Sequence, residues 1–393
     1  MRRPNDVRSD RVTELPLVHA IGWFEGRLGY NVHTANLFGA LSRRLPVVAT
    51  SLQMLDGPLA SDRALIRRLW PERQVVSIAL LHGQLMHVLD GAPPGRRIAY
   101  TVWESTKLPD DWLESLGRAD EIWVPTEWNR AVFAANGIDP RHIRVVPEGV
   151  DPELFHPDVP PVPDLARRSG FKFVNVGKWE ERKGTALLIK AFDDEFGPAD
   201  DAWLVLSCYN PHTPDMDVRA ELRALRLRRP ERLLFIPPIR DHGRMAEVYT
   251  SCDAFVSPTR AEGWGLPIIE AMACGLPVIV TGYSGHTAFL GPHAYRIDHR
   301  LVPVSDPYFP AADGNHGLWA EPDVGHLRRL MRYVHDHRDE ARARGLAGGA
   351  DVRRQFSWQE AAAKAAETIR ASLAPMTGAD YTNGRTTVAP KQA

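Results

Sequence analysis

The chain has 393 residues, too many for one hydrophobic core and suited to two domains. Lys and Arg total 48 against 49 Asp and Glu, a formal charge of -1, so the basic footprint that nucleic-acid binding needs is missing. Arginine clusters (Arg67-Arg68, Arg96-Arg97, Arg226 to Arg229) alternate with apolar and acidic neighbours and read as solvated helix faces.

The first residues, MRRPNDVRSDRVTELP, have no apolar stretch of the signal-peptide kind, and no apolar run approaches the ~20 residues of a membrane span. Residues 1–15 read as disordered. LPLVHAIGW, LPVVAT, QVVSIALL, RRIAYTVW, DEIWVPT and HIRVVP then follow as six candidate strands within residues 16–150. Their apolar runs are continuous rather than alternating, as in strands covered on both faces by helices. Helical patterns at 32–43, 110–116 and 128–136 fall between them, the last closed by Gly137. That is βαβ logic and predicts a doubly wound sheet.

Residues 151–169 are Pro-rich and lack apolar periodicity, and read as an inter-domain linker. A second series occupies 170–354: strands FKFVNVG, AWLVLSC, RLLFIP, AFVSPT and PVIVT, with helices at 184–194, 217–228 and 242–251 and others after 323 and 338. The stretch 292–321 is aromatic and Pro-rich with little regular pattern, and reads as an ordered flap without a place in the fold. QFSWQEAAAKAAETIRASL is a strong amphipathic helix within 355–374, and 375–393 reads as a disordered tail. Cys208, Cys252 and Cys274 have neither metal nor redox spacing and read as buried thiols in a reducing compartment. The chain therefore reads as cytoplasmic, with peripheral membrane contact left open.

The most informative stretch is EGWGLPIIEAMACGLPVIVT, which sets Glu262 and Glu270 eight positions apart. Pro267 suits a first helical turn, Gly275 suits the left-handed position past a helix end, and the run after Pro277 suits a buried strand. Glu262 is then expected on the loop entering the helix and Glu270 near its first turn. The free N–H groups between them, around Gly263, Trp264, Gly265 and Leu266, make an anion site at the positive helix end. Gly177-Lys178-Trp179-Glu180-Glu181-Arg182-Lys183-Gly184 follows another strand and opens a helix, where cations would face a diphosphate. Within it Arg182 reads as a solvated neighbour.

These segments, with VVPEGVDPELFHP (145–157) and the region 100–138, resemble the E-x7-E retaining glycosyltransferases of the GT-B fold, family 4, over residues 16–374. The resemblance implies two Rossmann-like domains facing across a cleft, with the 355–374 helix crossing back to the first domain. It implies transfer of a sugar from a nucleotide-diphosphate donor (UDP- or GDP-sugar) to a carbohydrate, lipid-linked or small-molecule acceptor. Configuration would be retained by front-face attack, and no metal or other cofactor is expected.

By the same resemblance Lys178 and Lys183 grip the diphosphate beside Gly177, Glu270 holds the ribose, and Glu262 contacts the donor sugar. Base contacts fall near Ile236 to Arg240. Gly22, Gly26, Gly29 and Tyr30 occupy the family's Gly-rich loop after the first strand. Many members carry a His after the strand matching RRIAYTVW; here Trp103-Glu104-Ser105-Thr106 stands there, making Glu104 the acceptor-side candidate. His82 and His87 read as packed or exposed, and Asp215-Met216-Asp217 as a helix cap rather than a metal site. Alternatives are a GT-B-type epimerase, a phosphorylase, or a nucleotide-sugar-binding subunit without turnover.

Overall fold

The computed structural model describes residues 15–373 apart from 27, 53–72, 211–212, 214, 240 and 306–312. Both termini, Arg67-Arg68 and Arg240 therefore lie outside the described residues. Two six-stranded parallel sheets form the frame. The first is built from β1 (Leu17–Gly22), β2 (Val47–Ser51), β3 (Val75–Leu80), β4 (Arg96–Tyr100), β5 (Glu121–Val124) and β6 (Ile143–Val145), in the order β2-β1-β3-β4-β5-β6. The second comprises β7 (Phe171–Val176), β8 (Ala202–Ser207), β9 (Leu233–Phe235), β10 (Ala254–Ser257), β11 (Val278–Thr281) and β12 (Tyr295–Ile297), in the order β12-β11-β10-β7-β8-β9. β1, β3, β5, β10 and β11 are buried at every residue, which is why their sequences are apolar without alternation.

Strand order reverses between β1 and β3 in one sheet and between β7 and β10 in the other. Open α/β sheets bind ligands at such switch points, outside the carboxyl ends of the strands. The loop after β7 carries Lys178 and Lys183, and the loop after β10 carries Glu262. The reversal places these two loops side by side.

The halves are joined twice within a few ångströms. The Val150 amide donates to Phe356 O (2.8 Å) and the Trp358 amide to Val150 O (3.2 Å). A Cβ on Gly149 would lie 2.6 Å from the Trp358 nitrogen, so only glycine lets these passages touch. Beyond that point the Trp358–Leu373 helix packs Trp358, Ala361, Ala362, Ala365 and Ile369 into one apolar core with Leu37, Phe38 and Leu41 of the Gly29–Leu41 helix. The segment after Val150 is anchored as well: Phe155 is buried and the Val162 amide donates to Ser251 Oγ at 2.8 Å.

Several local expectations are corrected. The flap contains β12 and an antiparallel hairpin, β13 (His299–Pro303) with β14 (Leu318–Pro322). The first helix starts at Gly29, so Gly29 and Tyr30 are helical rather than part of the preceding loop. Asn31 supplies the start by accepting from the Leu28 amide at 3.1 Å. The remaining arginine clusters are not helix faces: Arg96 and Arg97 open β4, and Arg96 pairs with buried Glu121 at 2.9 Å. The Arg228 and Arg229 amides both donate to Asp193 at 2.9 Å. All three cysteines are free, and burial raises the Cys208 thiol to about 12. Among the described residues no helix is long and apolar enough to cross a membrane, and no cluster of His, Cys, Asp and Glu could hold a metal ion.

Candidate active site

The Leu266–Ala273 helix enters through Gly265, whose φ of 101° has no penalty only in glycine. It leaves through Cys274 to Gly275 at φ 84°. Glu262 lies on the loop before it, and Glu270 falls in its second turn rather than its first, inward on the buried face. The loop is braced from behind. The Glu262 amide donates to Ser284 Oγ (2.8 Å) and the Gly285 amide donates to Glu262 O (2.9 Å). Ser284 holds φ 73° and ψ -162°, a region other residues leave to glycine, so strain is stored at this support. Trp264 packs its ring against Phe289 at 5.0 Å and Phe356 at 5.9 Å, so only its main chain is open to a ligand.

Glu262 is 6 % exposed, and Lys183 Nζ donates to both of its oxygens at 2.7 Å. Arg182 Nη1 stands 3.4 Å from the same carboxylate and 3.9 Å from Glu104, and its Nη2 donates to Glu180 at 2.7 Å. Burial opposes ionisation of Glu262, but the charges of Lys183 and Arg182 outweigh it and hold the carboxyl at about 2. Burial also pulls the Lys183 ammonium below its ordinary value, partly offset by Glu262. Glu180 responds alike: burial raises it, and Arg182, Lys178 and Lys183 bring it below the usual range. Arg182 is thus not a solvated neighbour. It is buried at the centre of the cluster and also donates to Ala261 O at 2.8 Å. Lys178, at the rim, pairs with Glu180 at 3.1 Å, and Gly177 continues β7 by donating to Ser207 O at 3.0 Å.

Glu270 forms a second, separate polar group. His242 Nε2 lies 2.8 Å from one oxygen and the Tyr249 hydroxyl donates to the other at 3.1 Å. Burial opposes the His242 charge, yet Glu270 raises the imidazole above its ordinary range. Both Glu270 and His242 line a cleft pocket with Val32 and Asn36 of the first half and Asp151 and Phe155 of the connection.

The first half adds a residue that sequence reading passed over. Glu148, two residues before the Val150 crossing, is 5 % exposed and 3.6 Å from the buried His33 Nδ1. Burial, then the negative charges of Glu104 and Glu262, push its carboxyl well above the usual range. Burial lowers His33 to about 3. Burial thus disfavours the charged form of both groups, the carboxyl of Glu148 and the imidazole of His33. The only sequence signal was an acidic residue where a short apolar strand ends.

The remaining candidates separate. His82 packs edge-on against Trp112 at 4.8 Å, and His87 is exposed on the 3-10 segment Gly83–Gly91. Gly29 is exposed, and a Cβ there would meet nothing within 4 Å. Tyr30 bonds Thr101 Oγ1 at 3.1 Å. Asp217 caps the Val218–Ala224 helix by accepting from the Arg219 and Ala220 amides.

The chain is similar to known proteins in part of its sequence and in its fold. Residues 165–303, which include both site loops of the second half, match the family described as "Glycosyl transferases group 1". A D-inositol 3-phosphate glycosyltransferase from Xylanimonas cellulosilytica is 30 % identical over 240 residues, 58 % of this chain and 51 % of the relative. An alpha-maltose-1-phosphate synthase from Mycolicibacterium smegmatis is 26 % identical over 248 residues, 59 % of this chain and 58 % of that protein. The chain thus spans about half the length of the curated relatives it matches. Sucrose-phosphate synthase from Thermosynechococcus elongatus superposes with a TM-score of 0.67 at 17 % identity, covering 91 % of this chain and 99 % of that one. Anabaena HepE, solved with UDP and glucose, gives 0.66 at 13 % identity, covering 91 % and 100 %. The fold is accordingly the two-sheet α/β architecture of the GT-B glycosyltransferases.

Proposed function

We propose that the chain transfers a glycosyl group from a nucleotide-diphosphate sugar to an acceptor hydroxyl, with retention of configuration and without a metal ion. The observation that carries this reading is the Lys183–Glu262–Arg182 cluster, built on adjacent strand ends at the switch point of the second sheet. The match of residues 165–303 to a glycosyltransferase family, and relatives named for glycosyl transfer, support it.

Lys183 has three donor hydrogens and uses two on Glu262, leaving one for a phosphate oxygen. With Lys178 and the N–H groups from Gly263 to Leu266 it would stabilise charge growing on the departing diphosphate. Glu262, kept ionised, is an acceptor for donor-sugar hydroxyls, and Glu270 for those of the ribose. Glu104 lies on the acceptor side, within reach of Arg182. The leaving diphosphate takes the acceptor proton as the new bond forms on the same face, so no strong protein base is required. Acceptor dependence separates transfer from epimerisation.

The test is a thermal-shift screen of UDP-, GDP-, ADP- and TDP-sugars with and without EDTA. A ligand at 100 times its Kd adds about 2.7 kcal/mol, a shift of several degrees. One nucleotide class should shift the protein regardless of EDTA, and Glu270→Ala should remove the shift. No shift with any class would end the donor-site reading.

A further inference from the structure

The β13–β14 hairpin belongs to the second half, yet it is bonded to both loops that meet at the cluster. On one side the Ala320 amide donates to Arg260 O at 3.0 Å, and the Arg260 guanidinium grips Glu321 at 2.7 and 3.1 Å. Arg260 lies two residues before Glu262, and its amide donates to Arg182 O at 2.7 Å. On the other side the hairpin reaches the first half. The Thr106 amide donates to Leu318 O at 3.1 Å and the Leu318 amide to Thr106 Oγ1 at 2.8 Å. Ser105 Oγ donates to His316 O at 2.8 Å, and Lys107 pairs with Asp313 at 2.9 Å.

Two further features show that this contact is built rather than incidental. Gly317 adopts φ 80°, and a Cβ there would sit 2.6 Å from the Lys107 nitrogen, so glycine is required both for the turn and for the approach. Trp319 is 1 % exposed and joins Trp103, Leu108 and Trp112 of the first half in one apolar cluster, together with Ala261. The exposed Lys107–Asp313 pair adds little. The buried tryptophan and the paired main-chain bonds hold the contact.

We propose that the hairpin is a clasp that sets the distance between Glu104 and the Arg182–Glu262 pair, with Thr106 and Gly317 as its positioning residues. Glu104 sits between Trp103, which the clasp buries, and Ser105, which it bonds. Its 3.9 Å separation from Arg182 is bridged through β14 and Arg260, in addition to the strands that carry the two loops. The catalytic consequence rests on the glycosyl-transfer reading; the clasp itself does not.

Hydrogen exchange followed by mass spectrometry on the full chain tests the clasp without any ligand. Peptides covering 102–107 should exchange at least tenfold slower than an unstructured chain. Gly317→Ala, or Thr106→Val where that variant is poorly folded, should speed them at least tenfold and leave peptides covering 171–195 unchanged. Free-chain exchange of 102–107 in the wild type, or no response to either substitution, would overturn the proposal. With UDP-glucose as probe, Thr106→Val should lower turnover about tenfold and leave KM for the nucleotide sugar within about twofold, and Thr106→Ser should restore it. A changed KM with unchanged turnover would refute the positioning role. A wild type that neither binds nor consumes any nucleotide sugar would sink the transferase reading, and the exchange result would still decide the clasp.

Discussion

Glu262 and Glu148 are two carboxyl groups buried to nearly the same extent, 6 % and 5 % exposed, on opposite halves of the molecule. Their carboxyl groups are shifted in opposite directions. Glu262 has an ammonium at 2.7 Å and a guanidinium at 3.4 Å, and desolvation loses to these cations. Glu148 has a neutral imidazole at 3.6 Å and only acidic charge beyond it, so desolvation wins. Burial by itself therefore predicts nothing about a carboxyl group; the nearest charges decide.

The sharpest way to break the contrast is Lys183→Ala, which leaves Glu262 buried with Arg182 alone. Uncompensated buried charges cost about 3–5 kcal/mol, and the remaining guanidinium points to the lower end of that range. Turnover should also fall by about 10²–10³, as when a donor to a developing charge is removed. Denaturant unfolding and initial rates measure the two losses, and near wild-type values in both would remove Lys183 from the cluster's chemistry.

Acid titration of stability comes next. The Glu262 carboxyl is depressed from 4.5 to about 2, so its contribution is fully present above 4.5 and disappears as pH falls towards 2. At 1.36 kcal/mol per unit this is about 3 kcal/mol, and Glu262→Gln should flatten that part of the profile. An unchanged acid limb in the variant would contradict the ionised assignment. Ser284→Ala leaves the buried Glu262 amide without its acceptor and should cost about 1–3 kcal/mol.

The smallest effect has the opposite sign. A raised carboxyl contributes stability below its unfolded value and loses it as pH rises through the folded one. Glu148→Gln keeps the neutral shape and removes that penalty, so Tm should rise at alkaline pH by roughly 2–4 °C for each kcal/mol relieved. The gain should vanish near pH 4, where both forms are neutral. A destabilised variant at every pH would mean that Glu148 is ionised and paired.

Fold and site were legible to different depths. The two sheets follow from unbroken apolar runs such as Val75–Leu80 and Ala254–Ser257, and the helix carrying Glu270 from Gly265, Pro267 and Gly275, because each signal is local. The β13–β14 hairpin was not legible: its first strand, HRLVP, is mostly exposed, and its pairing partner begins fifteen residues beyond Pro303. Arg182 looked like a surface charge because its partners come from residues 104, 180, 261 and 262, three of them brought by other strands. Glu148 was silent for the same reason, since His33 lies on a helix more than a hundred residues earlier.

The paired passage of the chain at Val150 and Trp358 has a consequence for recombination. The first sheet and the last helix share one apolar core although more than two hundred residues separate them in sequence. The second sheet is thus an insertion, entered and left through a single seam. A chimaera exchanged at one crossover near residue 150 would import a foreign last helix against the Gly29–Leu41 surface. Exchange of 151–357 as a cassette keeps that packing intact.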